Sequence, residues 1–346
     1  MGITLLNQKF NFGEVWKLKA QVLRILLRPE KIANYLRVKQ AYARKDTYLK
    51  ARPLILMVEA SSRCDMLCPM CPVAMEGTVR EKGDMDLTCF KQLLGQIGGT
   101  TAAICFWNFG EPLLNNEIFY MITEAKKYRI FTAVSSNLLS LDSRQKQLAL
   151  LESGLDYLIV SFDGATENTF ELFRGRGNFT RVLTNLKRLL ALKKEKKRKF
   201  PFINLQFVVM KGNEQEIGLI RQMAKELRVD KLSLKKFTYI GKNAKSYLPE
   251  NQEYILGKHK GIVRMDRCSR PWESAVVSWD GELLPCCGDL RFKYKFGNVF
   301  GKESFDRLWN SRDYQELRRR VLEDINTVEI CRTCPSTDFT SDMFVQ

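Results

Sequence analysis

The sequence predicts an α/β protein built on a parallel sheet. Six apolar, strand-like runs alternate with helix-like stretches from Leu54 onward: Leu54 to Val58, Ala102 to Trp107, Phe131 to Ser135, Tyr157 to Phe162, Ile203 to Met210 and Lys231 to Phe237. Two further observations frame that sheet. Residues 1–50 read as a basic helical extension, and beyond about residue 240 the repeat gives way to a cysteine-bearing segment, 241–346. With 346 residues and 45% apolar content the chain can bury a large core. Ligands of a parallel sheet gather at the strands' carboxyl ends, so the loops that follow the six runs are where chemistry is expected.

In the extension, residues 14 to 28 place Val15, Leu18, Val22, Ile25 and Leu26 at helical spacing among Lys17, Lys19, Arg24 and Arg28, and Pro29 closes the segment. A second helical stretch surrounds Ile32 to Tyr42. Such a surface either packs on the sheet domain with its charges in water, or lies on anionic lipid or an acidic substrate. No window approaches 18 uninterrupted apolar residues and the N-terminus lacks a signal-peptide layout. A cytoplasmic protein is therefore expected, peripheral to the inner face of the membrane if the lipid reading holds. The net charge of +17 suits an acidic partner. Nucleic acid is not expected, because no stripe of aromatics interleaved with Lys and Arg is present. A second basic block, Lys193 to Lys199, follows the helical pattern Val182, Leu186, Leu189, Leu190 and reads as a solvated helix end.

Ten cysteines beside a single histidine, His259, point to cysteine-bound metal or redox chemistry and exclude a multi-histidine metal site. Three of the cysteines stand together directly after the first strand, in Arg63-Cys64-Asp65-Met66-Leu67-Cys68-Pro69-Met70-Cys71. A loop can turn three thiolates onto one centre, and soft sulfur ligands select zinc, copper(I) or iron-sulfur clusters. Zinc usually takes a fourth protein ligand, which this loop lacks, so a four-iron cluster with one iron left open is the better local reading. The Cys-x3-Cys-x2-Cys spacing resembles the signature of the radical S-adenosylmethionine (SAM) enzymes. The resemblance implies a partial (β/α)6 barrel of the TIM type over residues 51–240. It also implies that Cys64, Cys68 and Cys71 hold a 4Fe-4S cluster whose open iron chelates SAM.

Later segments resemble that family in turn. Asn108-Phe109-Gly110-Glu111-Pro112 is similar to the family's Gly-Gly-Glu-Pro segment, with Phe109 in place of the first Gly; there Glu111 would help hold the amino group of SAM. Ser135-Ser136-Asn137 resembles a Ser-Thr-Asn-Gly segment, with Leu138 where Gly is usual, which makes Ser135 and Asn137 candidates to contact the ribose. Ser161-Phe162-Asp163-Gly164 followed by Arg174-Gly175-Arg176-Gly177 is similar to another family stretch, in which Ser161 and Arg174 would face the ribose and carboxylate of SAM. A planar guanidinium suits a carboxylate because it donates two parallel hydrogen bonds. Asp163 reads chiefly as a helix N-cap or turn residue, and Lys211-Gly212-Asn213 as a turn.

In the C-terminal segment, Cys268, Cys286, Cys331 and Cys334 suffice for a second metal centre, by spacing either a structural zinc or a cluster. The arrangement resembles the SPASM and twitch domains of radical SAM enzymes. With no cysteine after Cys334 it implies one auxiliary 4Fe-4S cluster, a layout similar to that of a radical SAM aminocyclitol dehydrogenase. Cys89 and Cys105 read as inert buried thiols. Cys287 reads either as a spare neighbour of Cys286 or as a catalytic residue that donates a hydrogen atom or contacts substrate. By resemblance, a flavodoxin- or ferredoxin-type reductant delivers the electron that splits SAM, and the product is a 5'-deoxyadenosyl radical that removes a substrate hydrogen. Oxidation of a sugar-like or cyclitol alcohol is the first functional expectation and peptide modification the second. The third is a basic, metal-bearing binding protein without catalysis.

Overall fold

The computed structural model describes residues 3–5, 8–10, 18, 28–71, 80–238, 242–255, 268–332 and 334. An N-terminal hairpin of β1 (Ile3–Leu5) and β2 (Gln8–Phe10) stands apart from the main sheet. All six expected strands form: β3 (Ile55–Val58), β4 (Ala103–Phe106), β5 (Phe131–Ser136), β6 (Tyr157–Ser161), β7 (Phe202–Val208) and β8 (Lys231–Lys235). Each pairs in parallel with the next, the arrangement of a partial barrel.

Strand alternation sorts the side chains onto two faces. Leu56, Val58, Ile104, Phe106, Val134, Leu158, Val160, Ile203, Leu205, Phe207 and Leu234 face the helices and form the larger core. Met57, Ala103, Cys105, Phe131, Ala133, Tyr157, Ile159 and Phe202 face the opposite way and form a second core lining the barrel interior. The helical layer is α2 (Leu87–Ile97), α3 (Ile118–Lys127), α4 (Arg144–Glu152), α5 (Glu167–Arg174), α6 (Phe179–Glu195) and α7 (Ile217–Leu227). In α2, for example, Phe90, Leu93, Leu94 and Ile97 recur at helical spacing and are buried, while Asp86 caps the first turn by accepting from Thr88 N at 2.7 Å. The basic block after α6 is exposed over 194–199, but Lys193 turns inward to Asp230 at 2.7 Å.

The helical stretch near Ile32 is α1 (Pro29–Arg44). It packs against the loops that lead into β4 and β5: the buried Lys31 Nζ donates to Thr101 O at 2.6 Å and to Arg129 O at 3.2 Å. The expected helix over 14 to 28 lies outside the described residues except for Arg28 and Leu18. Leu18 is buried with the interior core. Among the described residues no helix is long and apolar enough to cross a membrane.

The sheet does not end at β3. β9 (Ser274–Val277) pairs with it in parallel, Ile55 opposite Ser274 and Val58 opposite Val277, and β10 (Leu283–Leu284) returns antiparallel to β9. The C-terminal segment thus shares the barrel's hydrogen bonding. Its short helices are α8 (Arg270–Glu273), α9 (Phe305–Trp309), α10 (Arg312–Glu323) and α11 (Glu329–Arg332). Arg318 of α10 is fully buried between the Trp309 and Tyr314 rings and donates to Pro271 O and Thr47 O, tying this segment to the chain ahead of β3.

Candidate active site

Cys64, Cys68 and Cys71 are half-buried free thiols on the loop that leaves the carboxyl end of β3. That loop is clamped from three sides. Ser62 N donates to Gly83 O at 2.9 Å, Arg63 forms an ion pair with Asp84, and Glu111 N donates to Arg63 O at 2.7 Å. Two glycines make the clamp possible. Gly110 has φ +91° and a Cβ there would stand 2.2 Å from Ser61 O; at Gly175, φ +58°, it would stand 2.1 Å from Leu67 O. Only a residue without a side chain lets both segments touch the loop's backbone.

Glu111 is buried. Its Oε1 accepts from Leu113 N at 3.1 Å and its Oε2 from Asn137 N at 2.8 Å, and burial raises its carboxyl to about 7. Asn137 in turn donates to Asp65 Oδ1 at 2.7 Å, with Cys64 Sγ 3.9 Å away. Both residues therefore brace the cysteine loop from the ends of neighbouring strands. Burial pushes the Cys64 thiol up to about 12 despite the Met66 N–H it accepts. Ser135, one residue before the end of β5, and Ser161, the last of β6, have their hydroxyls 3.5 Å apart.

Arg174, at the end of α5, is turned toward the same loop. Burial opposes its charge, and the Asp163 carboxylate and the Cys68 and Cys71 sulfurs favour it. Its ion pair with Asp163 corrects the N-cap reading: Thr166 caps α5, while Asp163 holds Arg174 with one oxygen and accepts from Val208 N at 2.8 Å with the other. Asn213 completes this corner as a buried turn residue, donating to Asp163 O and Val208 O.

The two departures from the family pattern have local explanations. The Phe109 ring turns to the interior core and meets Phe292 of the C-terminal segment, ring centres 5.9 Å apart. Leu138 keeps the left-handed backbone that a glycine would adopt, φ +60°. It is held there by a fully buried side chain and by Asn185, which donates to Leu138 O at 3.0 Å.

At the far end of the site burial raises the Cys268 and Cys286 thiols above their ordinary value, and neighbouring thiols add to it, Cys331 and Cys334 at Cys268 and Cys287 at Cys286. Arg270 lies among them, its guanidinium 3.4 Å from Cys287 Sγ and within the field of Cys286, Cys268 and Cys334. Cys105 is buried on the interior face, close enough to feel Cys287. Among the described residues no three Cys, His, Asp or Glu side chains close on a single ion. The donors at both places nonetheless suit an iron-sulfur cluster: soft sulfur, with N–H donors aimed at Cys64, Cys286 and Cys287.

A partial barrel with thiols at the mouth of its first strand and a second thiol group in a C-terminal appendage defines a cysteine-cluster α/β protein. Residues 58–224 match the model of the radical SAM superfamily and residues 268–335 that of SPASM, an iron-sulfur cluster-binding domain. The chain belongs to the radical SAM superfamily, is a radical SAM enzyme, and carries an SPASM domain; its cofactors are SAM and 4Fe-4S clusters. A Pyrococcus furiosus protein, the tungsten-containing aldehyde ferredoxin oxidoreductase cofactor-modifying protein, is 26% identical over 303 residues, 79% of this chain and 81% of the relative. Among solved structures, SuiB of Streptococcus suis bound to S-adenosylmethionine aligns with TM-score 0.64 at 16% identity, covering 80% of this chain and 70% of that one. BtrN in complex with AdoMet and 2-DOIA aligns with TM-score 0.54 at 19% identity, covering 86% and 100%. These likenesses show the fold. The expectation of a binding protein without catalysis is set aside.

Sequence reasoning missed Asp163 as the partner of Arg174 and missed β9 and β10. The hairpin had a readable signal, Asp280-Gly281 between the apolar pairs Val276-Val277 and Leu283-Leu284. Asp163 had none, because its backbone partner Val208 is far away in sequence.

Proposed function

We propose that the enzyme oxidises an alcohol carbon of a sugar-like or cyclitol substrate to a ketone. In this reading Cys64, Cys68 and Cys71 hold the SAM-binding cluster and Cys268, Cys286, Cys331 and Cys334 a single auxiliary cluster. Glu111, Ser135, Asn137, Ser161 and Arg174 form the SAM pocket. Held there, the first cluster with SAM would supply radical chemistry for removing an unactivated hydrogen, and the auxiliary cluster would offer an acceptor for the second electron of the oxidation. The chain's own residues orient and seal. The two glycine contacts fix the loop, the Asp163 pair holds Arg174 in place beside it, and the apolar interior of Met57, Phe131 and Ile159 keeps water from the reacting centre.

The observation that carries this reading is the second thiol group, four cysteines with Arg270 among them and Cys287 turned toward the barrel interior, where an electron acceptor is needed for net oxidation. The Pyrococcus furiosus relative is named for modifying a cofactor, in keeping with a small-molecule substrate. Peptide modification is the second reading, supported by fold likeness to SuiB bound to precursor peptide SuiA and to anSMEcpe with the Cp18Cys peptide. Substrate screening by mass spectrometry with the reduced holoenzyme separates them: a loss of two hydrogens from a polyol supports oxidation, and turnover of peptides alone defeats it.

A further inference from the structure

Helix α1 has two faces that carry apolar side chains, and the fold covers only one. Lys31, Asn34, Val38 and Ala41 recur at helical spacing and form the buried face. That face rests on the amino ends of the strands: besides the two Lys31 bonds, Asn34 Nδ2 donates to Arg52 O at 2.9 Å ahead of β3, and Asn34 Oδ1 accepts from Arg52 N at 2.9 Å. The helix is thereby fixed in rotation. Ile32, Tyr35 and Leu36, at i, i+3 and i+4, form a second stripe that is held outward, 40%, 48% and 60% exposed. Tyr48, shortly past the helix, is 60% exposed. Four of the eight large apolar side chains exposed among the described residues therefore fall between Ile32 and Tyr48, a concentration that single scattered exposures do not produce.

The same stretch is basic. From Arg28 to Arg52 there are eight Lys and Arg against two acidic residues. Four of the eight are accounted for or partly covered: Arg28 is half-buried, Lys31 is a buried donor, Lys39 pairs with Glu273 at 2.6 Å, and Arg52 pairs with Asp306. Arg37, Arg44, Lys45 and Lys50 are exposed, and among the described residues their side chains form no hydrogen bond and no ion pair. Aliphatic groups held out in water beside tyrosines and unpaired cations make up a surface suited to anionic lipid. The aliphatic groups enter the acyl boundary, the tyrosines sit at headgroup level, and Lys and Arg meet the headgroup charges. A second copy of the chain fits less well, because it would bring the same unpaired cations face to face.

We propose that the outer face of α1 seats the enzyme on an anionic phospholipid surface, with Ile32, Tyr35 and Leu36 in the acyl boundary and the four unpaired cations at the headgroups. The buried face of α1 rests on the loops ahead of β3, β4 and β5, whereas the cysteine loop leaves the carboxyl end of β3. A bilayer met through α1 therefore leaves the mouth of the barrel open to SAM and substrate. The proposal is independent of which substrate the enzyme oxidises.

The test is flotation of the anaerobically reconstituted full chain with vesicles of phosphatidylglycerol mixed into phosphatidylcholine, and with vesicles of phosphatidylcholine alone, at low and high salt. Three variants accompany wild type: Ile32→Gln with Leu36→Gln, the four-fold Arg37, Arg44, Lys45 and Lys50→Gln, and, as an apolar control on α7, Leu219→Gln. All of these side chains are exposed, so thermal midpoints should match wild type. Wild type and Leu219→Gln should bind the phosphatidylglycerol vesicles at low salt, lose them at high salt, and leave phosphatidylcholine alone. The Ile32 and Leu36 pair should weaken binding about ten-fold, and the cation variant about five-fold for each charge removed. Absence of binding to phosphatidylglycerol vesicles at low salt overturns the proposal, as does binding that either variant leaves unchanged. Equal binding of soluble polyglutamate, lost in the same two variants, would assign the face to an acidic protein instead. A dimer seen by sedimentation that dissociates in Ile32→Gln with Leu36→Gln would assign it to a second copy, and either result overturns the lipid reading.

Discussion

Gly110 and Gly175 are the residues on which the geometry of the cysteine loop turns. A methyl at either position meets a carbonyl oxygen at little more than 2 Å in a backbone conformation that alanine disfavours, so something must move, and the cysteine loop is what lies there. Gly110→Ala or Gly175→Ala should lower bound iron to about half, that of one cluster, and abolish SAM cleavage while the auxiliary cluster's spectrum survives. Full iron content in both variants would mean that the loop is positioned by other contacts. For the pocket, Arg174→Ala and Glu111→Ala should each weaken SAM binding by roughly 1.5 to 3 kcal/mol, the worth of a charged hydrogen bond, without loss of iron; equilibrium dialysis reads this directly. At this scale the sequence was informative wherever a motif is local. Gly110, Glu111, Gly175 and the three cysteines stand in short segments whose spacing carries their role. The Asp163 pairing was hidden, because an Asp-Gly just ahead of a helix looks like a cap and its backbone partner lies on another strand.

The strands were legible because strand-like runs of five to eight residues alternate with longer helical patterns, and their ends were placed within one or two residues. What was not legible is the pairing of β9 with β3. Parallel pairing across more than 200 residues leaves no local trace, and four residues make a weak strand signal. The role of α1 was half legible, since its apolar face is visible but the use of Lys31 as a buried donor is not. At pH 9 replacing Lys31 with Met should cost about 1 to 3 kcal/mol of stability by leaving Thr101 O and Arg129 O unpaired, with iron content unchanged. Burial and the nearby Arg28 and Lys126 charges lower the Lys31 pKa from 10.5 to about 7. The unfolded chain therefore binds more protons than the folded one between those values, so this lysine's penalty is full below pH 7 and is relieved as pH rises above it. Denaturation midpoints should rise from pH 7 to pH 9 in wild type by more than in Lys31→Met; parallel profiles would contradict that assignment.

Across the whole molecule the SPASM domain is joined to the barrel at two levels: by the sheet through β9 and by packing through Phe109 and Phe292. The segment that carries the second thiol group is thus hydrogen-bonded to the strand that leads into the cysteine loop, in keeping with the proposal that one cluster starts a radical reaction and the other receives its last electron. The account stands on that division of labour. Its most direct test is to reconstitute wild type, the Cys64/Cys68/Cys71→Ala variant and the Cys268/Cys286→Ala variant anaerobically, then measure iron, sulfide and dithionite-driven SAM cleavage in each. The prediction is about eight irons and eight sulfides in wild type and about half in either variant, with cleavage lost only when the first three cysteines are removed. Cleavage that survives their removal, or that disappears with Cys268 and Cys286 while the first cluster remains intact, would contradict it.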